Sequence, residues 1–335
     1  MFKEVADFIR EQFNTDQFIP LHEPRFIGKE KDYLNECIDS TFVSSVGKFV
    51  DQFEEVMKEK TGAKYAVATV NGTQALHIAM IMAGVEADSE VITQPLTFVA
   101  TANAILYTGG KPVFVDVDKE TMGMSPVALK AFLEKNVSVV EGVALNKVSG
   151  KKVAACVPMH TFGFPCAIDE IVAICDEFAI PVVEDSAESL GSYYKGQHTG
   201  TLGKLGIFSF NGNKTITCGG GGCIITDDEA MAKRAKHITT TAKVPHKWEY
   251  VHDEIGFNCR LPNLNAALAC AQLEQLDSFI ENKRELAAIY SDYFKSKKNI
   301  DFVVENETSK ANYWLMTVVL EDRAAREQFL EDTNG

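Results

Sequence analysis

Several short stretches of this 335-residue chain carry side chains whose types suit one chemistry. Lys214 lies a short polar loop beyond the apolar run KLGIFSF, where a lysine can turn inward. Asp185 closes IPVVED beside Glu184, and a carboxylate at the carboxyl end of a buried strand stands where ligands bind in α/β sheets. Asn71-Gly72-Thr73 separates YAVATV from QALHIAMIMAGV. A helix that opens on glycine offers unpaired N–H groups to an anion. Phe98, in QPLTFVATANA, offers an aromatic face. Each has a plainer reading when taken singly. Thr73 alone serves as a helix cap, adjacent acids occur in strand-end turns, and a loop lysine is ordinarily solvated. Together they meet the needs of pyridoxal phosphate: an amine for the covalent link, an acid that keeps the ring nitrogen protonated, a phosphate cup and a ring-covering aromatic.

The elements that must position these residues read as repeated βα units. YAVATV, VITQP, KPVFVDV, VAACVPM and IPVVED are strand-like, and QALHIAMIMAGV, TFVATANAILYTG, SPVALKAFLEKN and AIDEIVAICDEF have helical spacing. The strands are nearly continuous apolar runs, as expected for strands buried on both faces of a parallel sheet. Short connections between such units imply a layered α/β domain with right-handed crossovers. KLGIFSF and CGGGGCIITDD predict two further strands, with Gly219–Gly222 as a tight hairpin turn. That glycine run lacks GxGxxG spacing and precedes a strand, so it is no dinucleotide fingerprint. One long amphipathic helix is expected from Leu264, then a strand at NYWLMTVVLED and a helix at AAREQFLED. The expected organisation is an N-terminal amphipathic helix (1–20), a large cofactor-binding domain (21–258) and a small, incomplete α+β domain (259–335).

Composition narrows the function classes. Thirty-three basic against 47 acidic residues give a net charge of −14, which disfavours nucleic acid or an anionic membrane as partner through bulk charge. The N-terminus MFKEVADFIREQF carries charges throughout, and no apolar run is long enough to span a bilayer, so a cytoplasmic location is expected. The eight cysteines (37, 156, 166, 175, 218, 223, 259 and 270) show no CxxC and read as reduced core thiols. No metal site is expected. His160, after VAACVPM, lacks a suitably spaced second ligand and reads as active-site lining.

The blocks NGTQALHIA, PLTFVATANAI, KPVFVDVD, VVEDSAESLGS, GIFSFNGNKTIT and GFNCRLPNLNAALACAQLEQL resemble the DegT/DnrJ/EryC1/StrS family of sugar aminotransferases. The resemblance implies a fold-type I pyridoxal phosphate enzyme, a three-layer α/β/α domain plus a small C-terminal one, working as a homodimer with shared active sites. By it, Lys214 carries the cofactor, Asp185 partners the ring nitrogen and Phe98 stacks on the ring. Gly72, Thr73 and Ser209 match phosphate-contacting positions. Asn258 matches an asparagine that reaches the partner subunit's cofactor phosphate, and Glu188 falls near the cofactor ring. IPLHEP, STFVSSVGKFVDQFE and TTAKVPHKWEYVHDEIGFN look most like the aminotransferases of legionaminic-acid synthesis. Those act on a UDP-linked 4-keto-6-deoxy-N-acetylhexosamine with glutamate as amino donor. Two departures stand out: Gly220 replaces a glutamate common in relatives, and relatives continue beyond LEDTNG.

An acidic nucleotide sugar on an acidic protein needs local groups to hold it. Lys243, His246, Lys247 and Arg260 are the candidates, with Trp248 and Tyr250 as stacking surfaces; an ordinary solvated loop explains each equally well. Three other readings compete. A dehydratase of the same family would carry histidine in place of Lys214. A nicotinamide-dependent dehydrogenase would need the missing GxGxxG, and a non-catalytic regulator would not need the lysine–aspartate pair.

Overall fold

The computed structural model describes residues 2–334. Seven strands build the main sheet: β1 (Tyr65–Thr69), β2 (Glu90–Thr93), β3 (Lys111–Phe114), β4 (Val153–Val157), β5 (Val183–Asp185), β6 (Leu205–Ser209) and β7 (Gly222–Thr226). Ladder pairs give β3-β2-β4 and β5-β6-β7-β1. Parallel bridges Cys156–Val182 and Met159–Asp185 join the two groups, so the order across the molecule is β3-β2-β4-β5-β6-β7-β1. Only β7 runs against its neighbours. The architecture is the expected mixed α/β one, with a sheet of mostly parallel strands.

Eleven helices are described: α1 (Lys3–Phe13), α2 (Glu30–Asp39), α3 (Lys48–Thr61), α4 (Gly72–Met82), α5 (Val99–Tyr107), α6 (Pro126–Asn136), α7 (Ile168–Glu177), α8 (Glu229–Thr239), α9 (Asn263–Leu273), α10 (Leu276–Phe294) and α11 (Arg323–Asn334). Strands β2, β4, β5 and β7 are buried at every position. Alternation explains how both faces are covered. Phe208, Cys223 and Ile225 face the cluster containing Phe49, Phe53 and Ala266, while Ile207 and Ile224 face the one containing Leu76, Ile78 and Ile105. Helices thus sandwich the sheet.

Three features depart from the sequence reading. The helix expected from Leu264 is two helices, α9 and α10, separated at Glu274-Gln275 with no glycine or proline at the break. The tight turn expected at Gly219–Gly222 is the end of a longer connection, residues 210–221, that carries Lys214 between antiparallel β6 and β7. Packing also cuts across the boundary drawn at 258/259. Ala266, Cys270 and Leu273 of α9 lie in the core with Phe49 and Phe53, whereas Phe2 and Val5, at and just beyond the start of α1, pack against Tyr290, Phe294 and Ile300. The antiparallel pair Ile300–Phe302 and Val318–Leu320 completes that second cluster. Both ends of the chain therefore contribute to one small unit.

Phe53 is fully buried and meets Phe210 edge-on at 5.2 Å, bracing the residue that comes directly after β6. Phe53→Ala is expected to lower stability by ~3–5 kcal/mol, measured by urea unfolding, because a cavity replaces the ring.

Candidate active site

The loops that leave the carboxyl ends of the parallel strands meet one another. After β1, Asn71 caps α4: its side-chain oxygen accepts the Gln74 N–H at 2.8 Å. The cap is thus Asn71 and not Thr73. The N–H groups of Gly72 and Thr73 belong to the first turn, which has no intrahelical acceptor for them. A Cβ at position 72 would lie 2.6 Å from the Ser209 Cβ, so only glycine lets this turn close on the end of β6. Thr73 is half-buried beside it.

After β5, the carboxylates of Glu184 and Asp185 are both buried and differ sharply in their partners. Glu184 accepts from the N–H groups of Gly200 (2.7 Å), Leu202 (2.7 Å) and Gly203 (2.5 Å) and bonds His160 Nε2 at 2.9 Å. It is saturated. Asp185 accepts the Thr101 hydroxyl at 2.8 Å and the Ala187 N–H at 3.2 Å, which leaves lone pairs unused. Burial pushes its carboxyl above the usual range; Thr101, Ala187 and the charge of Lys214 oppose that shift without cancelling it. A protonated ring nitrogen would be the missing counter-charge.

Lys214 is buried, with Nζ 3.3 Å from Glu188 Oε1 and 4.3 Å from the centre of the Trp314 ring. Glu188 also accepts the Phe162 N–H at 2.8 Å, and burial raises its carboxyl despite the lysine. Phe162 holds a left-handed backbone (φ 56°), the strained geometry that turns its N–H toward Glu188. The alternative lysine in sequence, Lys204, lies at the opposite end of β6 and is exposed. Trp314 donates its indole N–H to the Asn213 carbonyl at 2.7 Å. Asn312 donates to the carbonyls of Glu188 and Leu190, both at 2.9 Å. The C-terminal segment thereby clamps the loops of Lys214 and Glu188.

The remaining expected residues are placed differently. Phe98 occupies the N-cap position of α5 and is 63% exposed in the single chain, three residues from the Thr101 that bonds Asp185. His160 is a correction. Its Nδ1 accepts the Cys166 N–H at 3.2 Å and its Nε2 bonds Glu184, so both ring nitrogens are spent and none is left for substrate. Lys243, His246, Lys247, Trp248 and Tyr250 occupy an exposed hairpin tied to α8 through Arg234–Glu254 and His237–Asp253. Lys243 sits over the Tyr250 ring at 3.7 Å and Lys247 over the Trp248 ring at 4.7 Å. Neither this hairpin nor Arg260 lines the cavity over Lys214. Arg260 borders a separate cleft with Asp51 and Thr240. Asn258 is exposed, bridged to Thr240, and the Cys259 carbonyl after it accepts the Val70 N–H at 2.8 Å. That segment therefore runs beside the start of its own chain's α4.

Sequence reasoning did not find Thr101, Asn312 or Trp314. Asn312 and Trp314 lie about a hundred residues beyond the lysine loop they touch, and no local pattern links them. Among the described residues no group of three His, Cys, Asp or Glu side chains is arranged to hold a metal. No helix among them is long and apolar enough to cross a membrane. The site fits pyridoxal phosphate: a buried amine, a buried carboxylate with acceptor capacity to spare, and a helix turn whose closeness to Ser209 a Cβ would block.

Comparison with known proteins agrees with this geometry. The DegT/DnrJ/EryC1/StrS aminotransferase family matches residues 25–334. The chain belongs to this family. GDP-perosamine synthase of Escherichia coli O157:H7 is 41% identical over 316 residues, 93% of this chain and 80% of that protein. EpsN of Bacillus subtilis strain 168, described as a pyridoxal phosphate-dependent aminotransferase, is 39% identical over 304 residues, 91% and 76% of the two chains. The crystal structure of the aminotransferase TlmJ from Streptoalloteichus hindustanus superposes with a TM-score of 0.84 at 26% identity, over 94% of this chain and 83% of that one. As a family member the protein is a sugar aminotransferase.

Two substitutions test the assigned roles. Lys214→Ala should abolish turnover and the visible absorbance of the lysine-bound cofactor; borohydride labelling of Lys204 instead would refute the assignment. Asp185→Asn should fold normally yet lose activity by about a hundredfold or more, the scale of losing a preorganised charge at a reacting centre. Near-normal rates in that variant would remove Asp185 from the mechanism.

Proposed function

We propose that the protein transfers an amino group from glutamate to the keto carbon of a nucleotide-linked sugar, with pyridoxal phosphate bound between Asp185, Lys214 and the Gly72-Thr73 turn. The observation that carries this is the contrast between the two buried carboxylates: Glu184 is saturated, while Asp185 keeps room for a proton donor close to a buried lysine. When bound, the cofactor supplies an electron sink for the negative charge left at the carbon that loses its proton. Asp185 holds the positive ring nitrogen. Lys214 Nζ, once freed by the entering donor, carries the proton removed from the donor's α-carbon, and the acceptor half runs in reverse. The first-turn N–H groups and Ser209 bind the phosphate. Glu188 and Trp314 hold Lys214 between them.

For the acceptor, the HKWEYVHDEIGFN block supports a UDP-linked 4-keto-6-deoxy-N-acetylhexosamine and a place in nonulosonic-acid or cell-surface polysaccharide synthesis. A second reading, a GDP-linked keto-sugar, is supported by the 41% identity to GDP-perosamine synthase. We take the working form to be a cytoplasmic homodimer in which Asn258 reaches the partner's phosphate and the exposed 243–252 hairpin meets substrate.

A panel of UDP- and GDP-linked keto-sugars, added to enzyme already converted by glutamate, should regenerate the original cofactor absorbance with one nucleotide series only. Reaction with free keto acids alone would place the enzyme in amino-acid metabolism and end the sugar reading. Sharing of sites is tested by mixing Lys214→Ala with Asn258→Asp. Activity should return on subunit exchange, because one site of the mixed dimer carries both lesions and the other none. Exchange without recovery would assign Asn258 to its own subunit's site.

A further inference from the structure

A cavity of about 310 Å³ opens onto Lys214, within the range of small-molecule sites. Its floor is the stretch Lys214–Thr217, one wall is α10 and the other is the extended segment 18–25 beyond α1. Two basic side chains line it without a carboxylate partner. Lys283 Nζ makes one hydrogen bond, donated to the Trp314 carbonyl at 3.2 Å, and forms no ion pair among the described residues. His22 Nδ1 is buried with no partner among them. Trp314 contacts both lysines of this lining: its carbonyl accepts from Lys283, and its ring lies 4.3 Å from Lys214 Nζ.

We propose that Lys283 and His22 form the subsite for a carboxylate of the amino donor. A desolvated ammonium with N–H groups to spare needs an anion. Burial drives the Lys283 amine down to about 8, and burial followed by the charge of Lys283 drives His22 down to about 4. Both groups are thus held at a cost that an entering carboxylate relieves. His22 stays neutral near pH 7 and contributes as a hydrogen-bond donor. The other cation on the wall, Arg25, is already paired with Glu23 at 2.7 Å and mostly exposed. Glutamate must bring its α-carbon to Lys214 while its charged ends are held, and this cavity provides a cation whose Nζ donates to the backbone carbonyl of Trp314. The subsite also gives segment 18–25 a purpose: it covers the donor and supplies one of its ligands.

This inference rests on the aminotransferase reading for the nature of the donor, but its test needs no sugar. The holoenzyme is mixed with glutamate alone, and the loss of the lysine-bound cofactor's absorbance is followed against glutamate concentration. Lys283→Met and His22→Phe should each raise the half-saturating glutamate concentration about tenfold or more, with the limiting rate changed less than threefold; Lys283→Arg should restore most of the affinity. Calorimetry with glutarate, a non-reacting dicarboxylate, should show the same loss of affinity. Unchanged donor saturation, or a fall in limiting rate alone, overturns the proposal, and so does a defect confined to the sugar half-reaction. His22→Phe decides the matter if Lys283→Met fails to fold. Should no nucleotide sugar react, the acceptor reading falls while the donor measurement still stands.

Discussion

A buried carboxylate has to find proton donors, and the end of β5 places two of them side by side. Glu184 and Asp185 point to opposite sides of one strand, as neighbours on a strand must. Glu184 takes three backbone N–H groups from the 200–203 turn and the His160 ring, which ties β5 to the turn that leads into β6. Asp185 gets two donors and stays perturbed by burial. Both sites depend on this division. The first carboxylate stabilises the scaffold, and the second is left with the capacity to hold a cation.

The lysine end of the site obeys a different constraint. A lysine on a twelve-residue connection would ordinarily be mobile, and a loop amine has many rotamers to lose. Here the C-terminal segment removes that freedom. Trp314 lies against the Lys214 ammonium and bonds the carbonyl of Asn213, while Asn312 pins the carbonyls of Glu188 and Leu190. Gly163 shows how closely this segment is seated, because a Cβ there would meet Asn312 Oδ1 at 1.9 Å. The small unit is therefore part of the active site rather than an appendage to it. The same contacts bring Lys283 of α10 to the cavity wall.

Much of this is legible in residue order. Buried strands read as apolar runs, and the chemistry-bearing residues stand just past the end of each run, because a parallel sheet puts those loops on one edge. The Glu184-Asp185 pair, Lys214 and the Gly72 turn are singled out as candidates that way. The break between α9 and α10 is not legible, because no breaker residue marks it and the amphipathic pattern runs through. The cap of α4 sits two residues before the threonine that the sequence offers for it, because Asn and Thr both cap well. Which of Glu184 and Asp185 faces the site is also undecided by sequence, since period-two alternation names opposite faces without saying which is inside.

By itself the sequence determined the fold class and the family, and it offered Lys214 and the Glu184-Asp185 pair as candidate amine and acid. Those come from periodicity and from short blocks in which neighbouring residues must act together. Only the tertiary structure decided who surrounds them. His160 passed from site lining to a brace for Glu184, and the Lys243–Trp248 hairpin stood apart from the Lys214 cavity. His22 and Lys283 joined the walls of that cavity, Thr101 came to Asp185, and Asn312 and Trp314 came to the loops of Glu188 and Lys214. Hydrogen bonds and cation–π contacts between residues on different elements leave no local periodic trace. They exist only once the strand order and both chain ends have brought those side chains within reach.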